Sequence, residues 1–206
     1  MPEALDAFAR LAAGRRSVRR YEARPVPGEL VETIMTCALQ APSPHNRQPV
    51  RLALVHSRDR LAEAMGARLR ADRGRDGDAA DAIETDVARS RSRILDAPSL
   101  ILLALSMQDM DRYADAARQQ AEHLMAVQSA AMAGQNLMLA AHAAGLAACW
   151  MCAPLFCPEV AREALGLPAD WQPQGLITLG YAAAPGKRRP RKPLNEVLRN
   201  LPEEIS

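Results

Sequence analysis

The stretch Gly14-Arg15-Arg16-Ser17-Val18-Arg19-Arg20-Tyr21 gathers the side chains of this sequence best suited to chemistry. Guanidinium groups present forked donors that fit phosphate oxygens bidentately, and a serine hydroxyl adds a further donor. The stretch is a phosphate-site candidate; a solvated basic turn closing a helix is the other reading. A second concentration is Pro42-Ser43-Pro44-His45-Asn46-Arg47-Gln48-Pro49. Its prolines restrict the backbone while Ser, His, Asn and Gln offer hydrogen bonds, which predicts a rigid polar loop. A plain connector between helix and strand is the alternative. A third, Lys187 to Lys192, lies in a proline-bearing tail and is cationic again.

These stretches must be held by the elements between them. Leu5, Phe8, Ala9, Leu11 and Ala12 mark one face of a first helix that Gly14 ends, leaving the arginines on an exposed connection. A second helix runs from about Gly28 to Gln40, and Val50 to His56 alternates as a strand before a helix that starts at Ser57. The segment Arg70 to Asp81 is polar, glycine-bearing and heavily charged, and reads as mobile surface. A helix resumes through Ile83 and Val87, followed by Leu100 to Leu105, a continuous apolar run of the kind found in a buried central strand. Asp111 to Ala144 predicts the longest helix, with Leu124, Val127, Ala131 and Met138 inward and Gly134 among small residues that permit close approach. Apolar and small residues on most of its faces call for more burial than one chain of this size provides, which points to a homodimer. Gly145 to Ala153 reads as strand and turn, a short helix follows that Gly166 closes, and Gly175 to Tyr181 is a last strand.

Composition narrows the class. At 206 residues and 49% hydrophobic content the chain fits one domain, residues 1–206, with a basic proline-rich tail from about 184. A net charge of only +2 gives no general case for nucleic acid, so each basic patch has to be argued locally. Glu3 and Asp6 stand where a secretory signal needs basic and then apolar residues, so a cytoplasmic protein is expected. The apolar tract Leu137 to Met151, broken by His142 and Gly145, is too short to span a bilayer. Cys149, Cys152 and Cys157 supply three of the four ligands a structural zinc site needs, so no metal is expected and, with Cys37, they read as small apolar thiols.

Arg15-Arg16-Ser17-Val18-Arg19, followed across a helix by Ala41-Pro42-Ser43 and Asn46-Arg47-Gln48-Pro49, resembles the flavin mononucleotide-dependent nitroreductase family. In that family the first motif holds the flavin phosphate and the pyrimidine edge of the ring, and the second reaches the same flavin from the partner subunit. The resemblance implies Arg15, Arg16, Ser17 and Arg19, with Pro42, Ser43 and Asn46, as FMN ligands. The family's cation near flavin N1 and O2 falls on Arg93, with Ser90 where asparagine is common; a surface arginine at a helix end is the alternative. Arg189 and Arg191, ahead of Pro193-Leu194, match the tail residues that reach the phosphate, although a loose basic tail would look the same. Val50 stands where the family often has an aromatic.

The segments Leu155 to Val160 and Leu167 to Pro173 look like the nitroreductase-like C-terminal domain of the bifunctional enzyme that completes the deazaflavin coenzyme. That likeness implies a narrower role, reduction of a dehydro precursor, with Trp150 and Phe156 lining an acceptor pocket and Arg47 meeting an anionic group of the acceptor. The fold implied is α+β and nitroreductase-like, a small, mostly antiparallel sheet flanked by helices in an intertwined homodimer. The activity implied is hydride transfer, with NAD(P)H as reductant, from reduced FMN to a small nitro, quinone or enoyl acceptor. The cofactor carries such chemistry, and no acid, base or nucleophile signature is found in the sequence. A flavin-binding redox sensor and a nucleic-acid binder acting through the basic tail are the non-enzymatic alternatives.

Overall fold

The computed structural model describes residues 2–200. Its centre is the apolar run, now strand β2 (Ser99–Ser106), with every residue buried. It lies between β1 (Val50–Leu54) and β4 (Trp171–Gly180), and β3 (Ala147–Met151) closes the other edge, giving the order β1-β2-β4-β3 with antiparallel neighbours throughout. Strand side chains alternate, so β2 feeds two cores. Leu100, Leu102 and Ala104 face α3 (Arg58–Arg75), α4 (Ala80–Leu95) and α6 (Pro158–Leu165). Ile101, Leu103 and Leu105 face α2 (Gly28–Ala38) and α5 (Ala116–Ala143). Helix α1 (Glu3–Gly14) lies beyond α5 and buries none of its residues in the single chain, and α7 (Leu194–Val197) stands in the exposed tail.

Several expectations are corrected. The charged stretch from Arg70 to Asp81 is not mobile surface: α3 continues to Arg75, turns through Gly77 and meets α4 at Ala80. Its charges are spaced to pair across the hairpin. Arg70 donates to both Glu84 oxygens at 2.6 and 2.9 Å, and Arg73 reaches Asp78 at 2.6 Å and also Asp86. Leu61, Met65, Ile83 and Val87 are buried within the same hairpin and its surroundings, and a Cβ on Gly66 would sit 3.3 Å from Val87. The long helix starts at Ala116, where Asp115 accepts the Arg118 N–H at 2.9 Å as its N-cap. Its inward face is Ala126, Ala130, Ala133, Leu137 and Ala141; Leu124 and Ala131 point outward, while Val127 and Met138 are half-buried. Alanine on every face gives no contrast from which the inward stripe could be picked out. The last strand begins at Trp171, with a bulge around Gln174 between its pairings with Leu103 and Ala104.

Candidate functional site

A cavity of about 1330 Å³ opens at the end of the sheet where β3 begins and β4 ends. Three segments build it. The arginine stretch lies beside β3, with Ser17 bridged to Ala148 and the Val18 N–H donating to the Ala148 carbonyl at 3.2 Å. It then pairs with the chain leaving β4, through Glu22 N–H to Tyr181 and Ala183 N–H to the Arg20 carbonyl. Tyr21 pins the turn: its hydroxyl donates to the Val18 carbonyl at 2.7 Å and lies 2.7 Å from Thr178 Oγ1. Burial pushes the Tyr21 phenol far above its ordinary range, with the Thr178 bond pulling the other way.

The last two turns of α4 supply the second wall. Arg89 lies three and four residues before Ser92 and Arg93, and the cap residue Asp96 lies four and three after them, so the four share one helical face. The third wall is the tail, from Ala183 through Lys187 to Arg189 and Arg191. Gly186 is what lets the tail come close, since a Cβ there would fall 2.5 Å from Arg16 Cβ and 3.1 Å from Val18. The lining cations are Arg15, Arg16, Arg19, Arg20, Arg89, Arg93, Lys187, Arg189 and Arg191, against a single lining acid, Asp96, which accepts from Ser92. Beneath them the buried Cys149 thiol is pushed up by desolvation, while Arg19, Arg93, the Ser17 hydroxyl and Arg15 pull it down.

The structure therefore brings Arg15, Arg16, Ser17, Arg19, Arg93, Arg189 and Arg191 into one cavity. Arg16 spends part of its guanidinium on the Ala13 and Arg15 carbonyls at 2.6 and 2.7 Å, closing α1. Arg89 was not anticipated, although its spacing of four from Arg93 on a helix was a readable signal. Arg20 and Lys187 lay within recognised basic patches without an assigned role.

Pro42, Ser43 and Asn46 are elsewhere. Their loop leads into Val50, which pairs with Leu105 at the far end of β2, so the loop sits at the opposite end and opposite edge of the sheet from the cavity. A 3₁₀ turn spans Pro44–Asn46, and the Gln48 N–H donates to Ser43 Oγ at 2.9 Å. His45, Asn46 and Gln48 hold left-handed φ of 47, 54 and 50°, each costing about 1 kcal/mol or more that the closed loop must offset.

The three acceptor candidates do not share a pocket. Arg47 is paired with Asp111 across the surface. Trp150 fills a slot between Gly134 and Gly175, packed into the core on the α5 side, so its main contacts are structural. Phe156, on the 3₁₀ turn Ala153–Phe156 after β3, is 77% exposed and does not line the arginine cavity. Among the described residues no cluster of His, Cys, Asp or Glu is arranged to hold a metal, and no helix is long and apolar enough to cross a membrane.

Known proteins agree with this architecture. The chain is 29% identical over 211 residues to an NADH dehydrogenase of Thermus thermophilus, covering 91% of this chain and 92% of that protein. Its structure resembles the FMN-dependent nitroreductase NfnB of Mycobacterium smegmatis, solved with NADPH, at 25% identity and a TM-score of 0.74, over 97% and 100% of the two chains. It also resembles a Desulfovibrio desulfuricans protein solved in complex with FMN, at 27% identity and a TM-score of 0.72, over 98% of each chain. Residues 12–181 match the sequence profile of the Nitroreductase family, and the chain belongs to that family.

Proposed function

We propose that this protein is an FMN-dependent oxidoreductase that takes a hydride from NAD(P)H and delivers it to a small conjugated acceptor. The observation that carries the reading is the arginine cavity, in which two segments far apart in sequence, 15–20 and 187–191, converge with Arg93. The donor set fits a phosphate-bearing flavin: forked guanidiniums for the phosphate, a serine hydroxyl beside them, and room for a ring system. When bound, the flavin supplies the hydride chemistry.

The chain's own residues then divide the work. Arg15, Arg16, Arg189 and Arg191 hold the phosphate, while Ser17 and Arg19 orient the ring edge. Arg93, fixed in the last turn of α4, would bring positive charge to a flavin ring held in the cavity, where Coulomb attraction would favour negative charge on it. Pro42, Ser43 and Asn46 stand too far around the sheet to serve their own chain's cavity, so they serve a second subunit's. The outward apolar side chains Leu124 and Met132 on α5, and Leu5 and Phe8 on α1, support a homodimer that covers them.

A narrower reading is reduction of a dehydro precursor of the deazaflavin coenzyme. It rests on the Leu155 to Val160 and Leu167 to Pro173 segments and on the exposed Phe156 ring, which is free to meet a substrate. Arg47 would serve its anionic group, since an exposed pair such as Arg47–Asp111 is worth only about 0–1 kcal/mol and can exchange partners. The test is turnover by the purified, flavin-loaded protein with NADH or NADPH and three acceptors: menadione, a nitroaromatic and the dehydro-deazaflavin precursor. Reduction of any of them supports the general reading, and preference for the third supports the narrower one. A yellow protein that reduces none would be a flavin-binding sensor.

A further inference from the structure

Gln48 is held more tightly than its own conformational preferences explain. Its φ of 50° lies in the left-handed region although Pro49 follows, and a residue ahead of proline favours extended backbone. Such a conformation persists only where the surroundings over-determine it. Two side chains do so here. The Gln48 N–H donates to Ser43 Oγ at 2.9 Å, and the Gln48 carbonyl accepts from Arg51 Nη1, also at 2.9 Å.

Arg51 is well placed to hold that carbonyl. Its backbone is fixed in β1, where it pairs with Ala104 of β2. Nη1 also donates to the Val50 carbonyl at 3.0 Å, and Nη2 reaches Asp109, in the loop that leaves β2, at 3.2 Å. One guanidinium therefore joins the start of β1, the loop before it and the loop after β2. Arg47 and Asp111 tie the same two loops a second time, and the buried Glu122 carboxylate accepts the Asp111 N–H at 3.2 Å. The consequence falls on Ser43. Because its Oγ accepts the Gln48 N–H, the hydroxyl proton is left to donate elsewhere.

We infer that Arg51 is a positioning residue for the flavin site: by fixing Gln48 it holds the Ser43 hydroxyl in the orientation from which it donates to the flavin of a second subunit. The inference rests on the reading above, in which this loop serves the second subunit's cavity. Arg51 itself touches no ligand and acts through Gln48 and Ser43.

The test is a double-mutant cycle on the flavin-loaded protein, read by release of FMN on dilution and by the absorption maxima of the bound flavin, with sedimentation and the thermal midpoint reporting assembly and fold. Arg51→Met and Ser43→Ala should each weaken FMN by about fivefold or more and shift the bound-flavin spectrum in the same direction, with the dimer retained. The double variant should be no weaker than Ser43→Ala alone, because Arg51 acts through Ser43. Additive losses would make Arg51 a general support of the strand and overturn the inference. So would an Arg51→Met protein that holds FMN like the wild type while Ser43→Ala does not. Arg51→Lys, which keeps the charge and the aliphatic stem but lacks the fork, takes the place of Arg51→Met in the cycle if that variant does not fold. If neither Ser43→Ala nor Asn46→Ala affects FMN, the loop meets no flavin and the underlying reading fails with the inference, a result distinct from failure of Arg51 alone.

Discussion

The indole of Trp150 occupies the space in which Gly134 would carry a side chain: a Cβ there would fall 2.0 Å from the ring, and one on Gly175 would fall 2.6 Å from Nε1. Helix α5 and strand β4 thus close on β3 only because both lack a side chain at that point. Gly134→Ala should cost about 1–3 kcal/mol by overpacking. Urea denaturation of the holoprotein would measure it, and an unchanged midpoint would show that the slot is not tightly filled. Because Gly134 is buried within its own chain, the loss should come through the core and not through a subunit contact.

The α3–α4 hairpin should resist proteases. Trypsin has many arginine targets between Arg68 and Arg93, yet helices with buried Leu61, Met65, Ile83 and Val87 should be cut no faster than the rest of the core. First cleavage is expected in the tail at Lys187 to Lys192, whose side chains are exposed. Early cleavage within 70–81, read by mass spectrometry, would restore the mobile segment.

Tyr21 makes stability depend on alkaline pH. The unfolded phenol ionises near pH 10, while burial keeps the folded one neutral well above that. Its folded pKa is raised, so its contribution is complete below about pH 10 and is lost as pH rises beyond it. Tyr21→Phe should cost about 1 kcal/mol at pH 8 through the lost bonds to Val18 and Thr178, and should flatten the fall in thermal midpoint between pH 9 and 11. Parallel wild-type and variant curves would remove Tyr21 as the cause.

What could be read in the sequence was whatever depends on neighbours along the chain. The run Leu100 to Leu105 had the continuous apolar character of a buried strand, and Arg15 to Arg19 with the Pro42 to Pro49 loop carried the family's pattern. Pairings across space were not readable. Arg70 and Arg73 looked like wet surface because their partners Glu84, Asp78 and Asp86 lie around a turn. Trp150 looked free for substrate because its slot is made by glycines from two separate elements. The outward position of Leu124 was hidden by a helix with alanine on every side.

Leu124 offers a direct check on assembly. It is 55% exposed in the single chain, on a helix whose other face is fully committed to the sheet. If the outer face of α5 is covered by a second subunit, Leu124→Asp should weaken the dimer by at least tenfold and release FMN together with it. Sedimentation at micromolar concentration, following protein and flavin absorbance separately, reads both. A wild-type monomer that keeps its flavin would contradict the shared-site arrangement.

The account depends most on one property of the arginine cavity, that it is built for a phosphate attached to a flavin. Equilibrium dialysis of the flavin-free protein against FMN and against riboflavin measures this directly, because the two ligands differ only in that phosphate. Charge-assisted bonds of about 1.5–3 kcal/mol each from Arg15, Arg189 and Arg191 should favour FMN by a factor on the order of a hundred or more. Arg191→Ala should narrow that margin by about tenfold or more and leave riboflavin binding unchanged. Equal affinity of the wild-type protein for FMN and riboflavin would contradict the account.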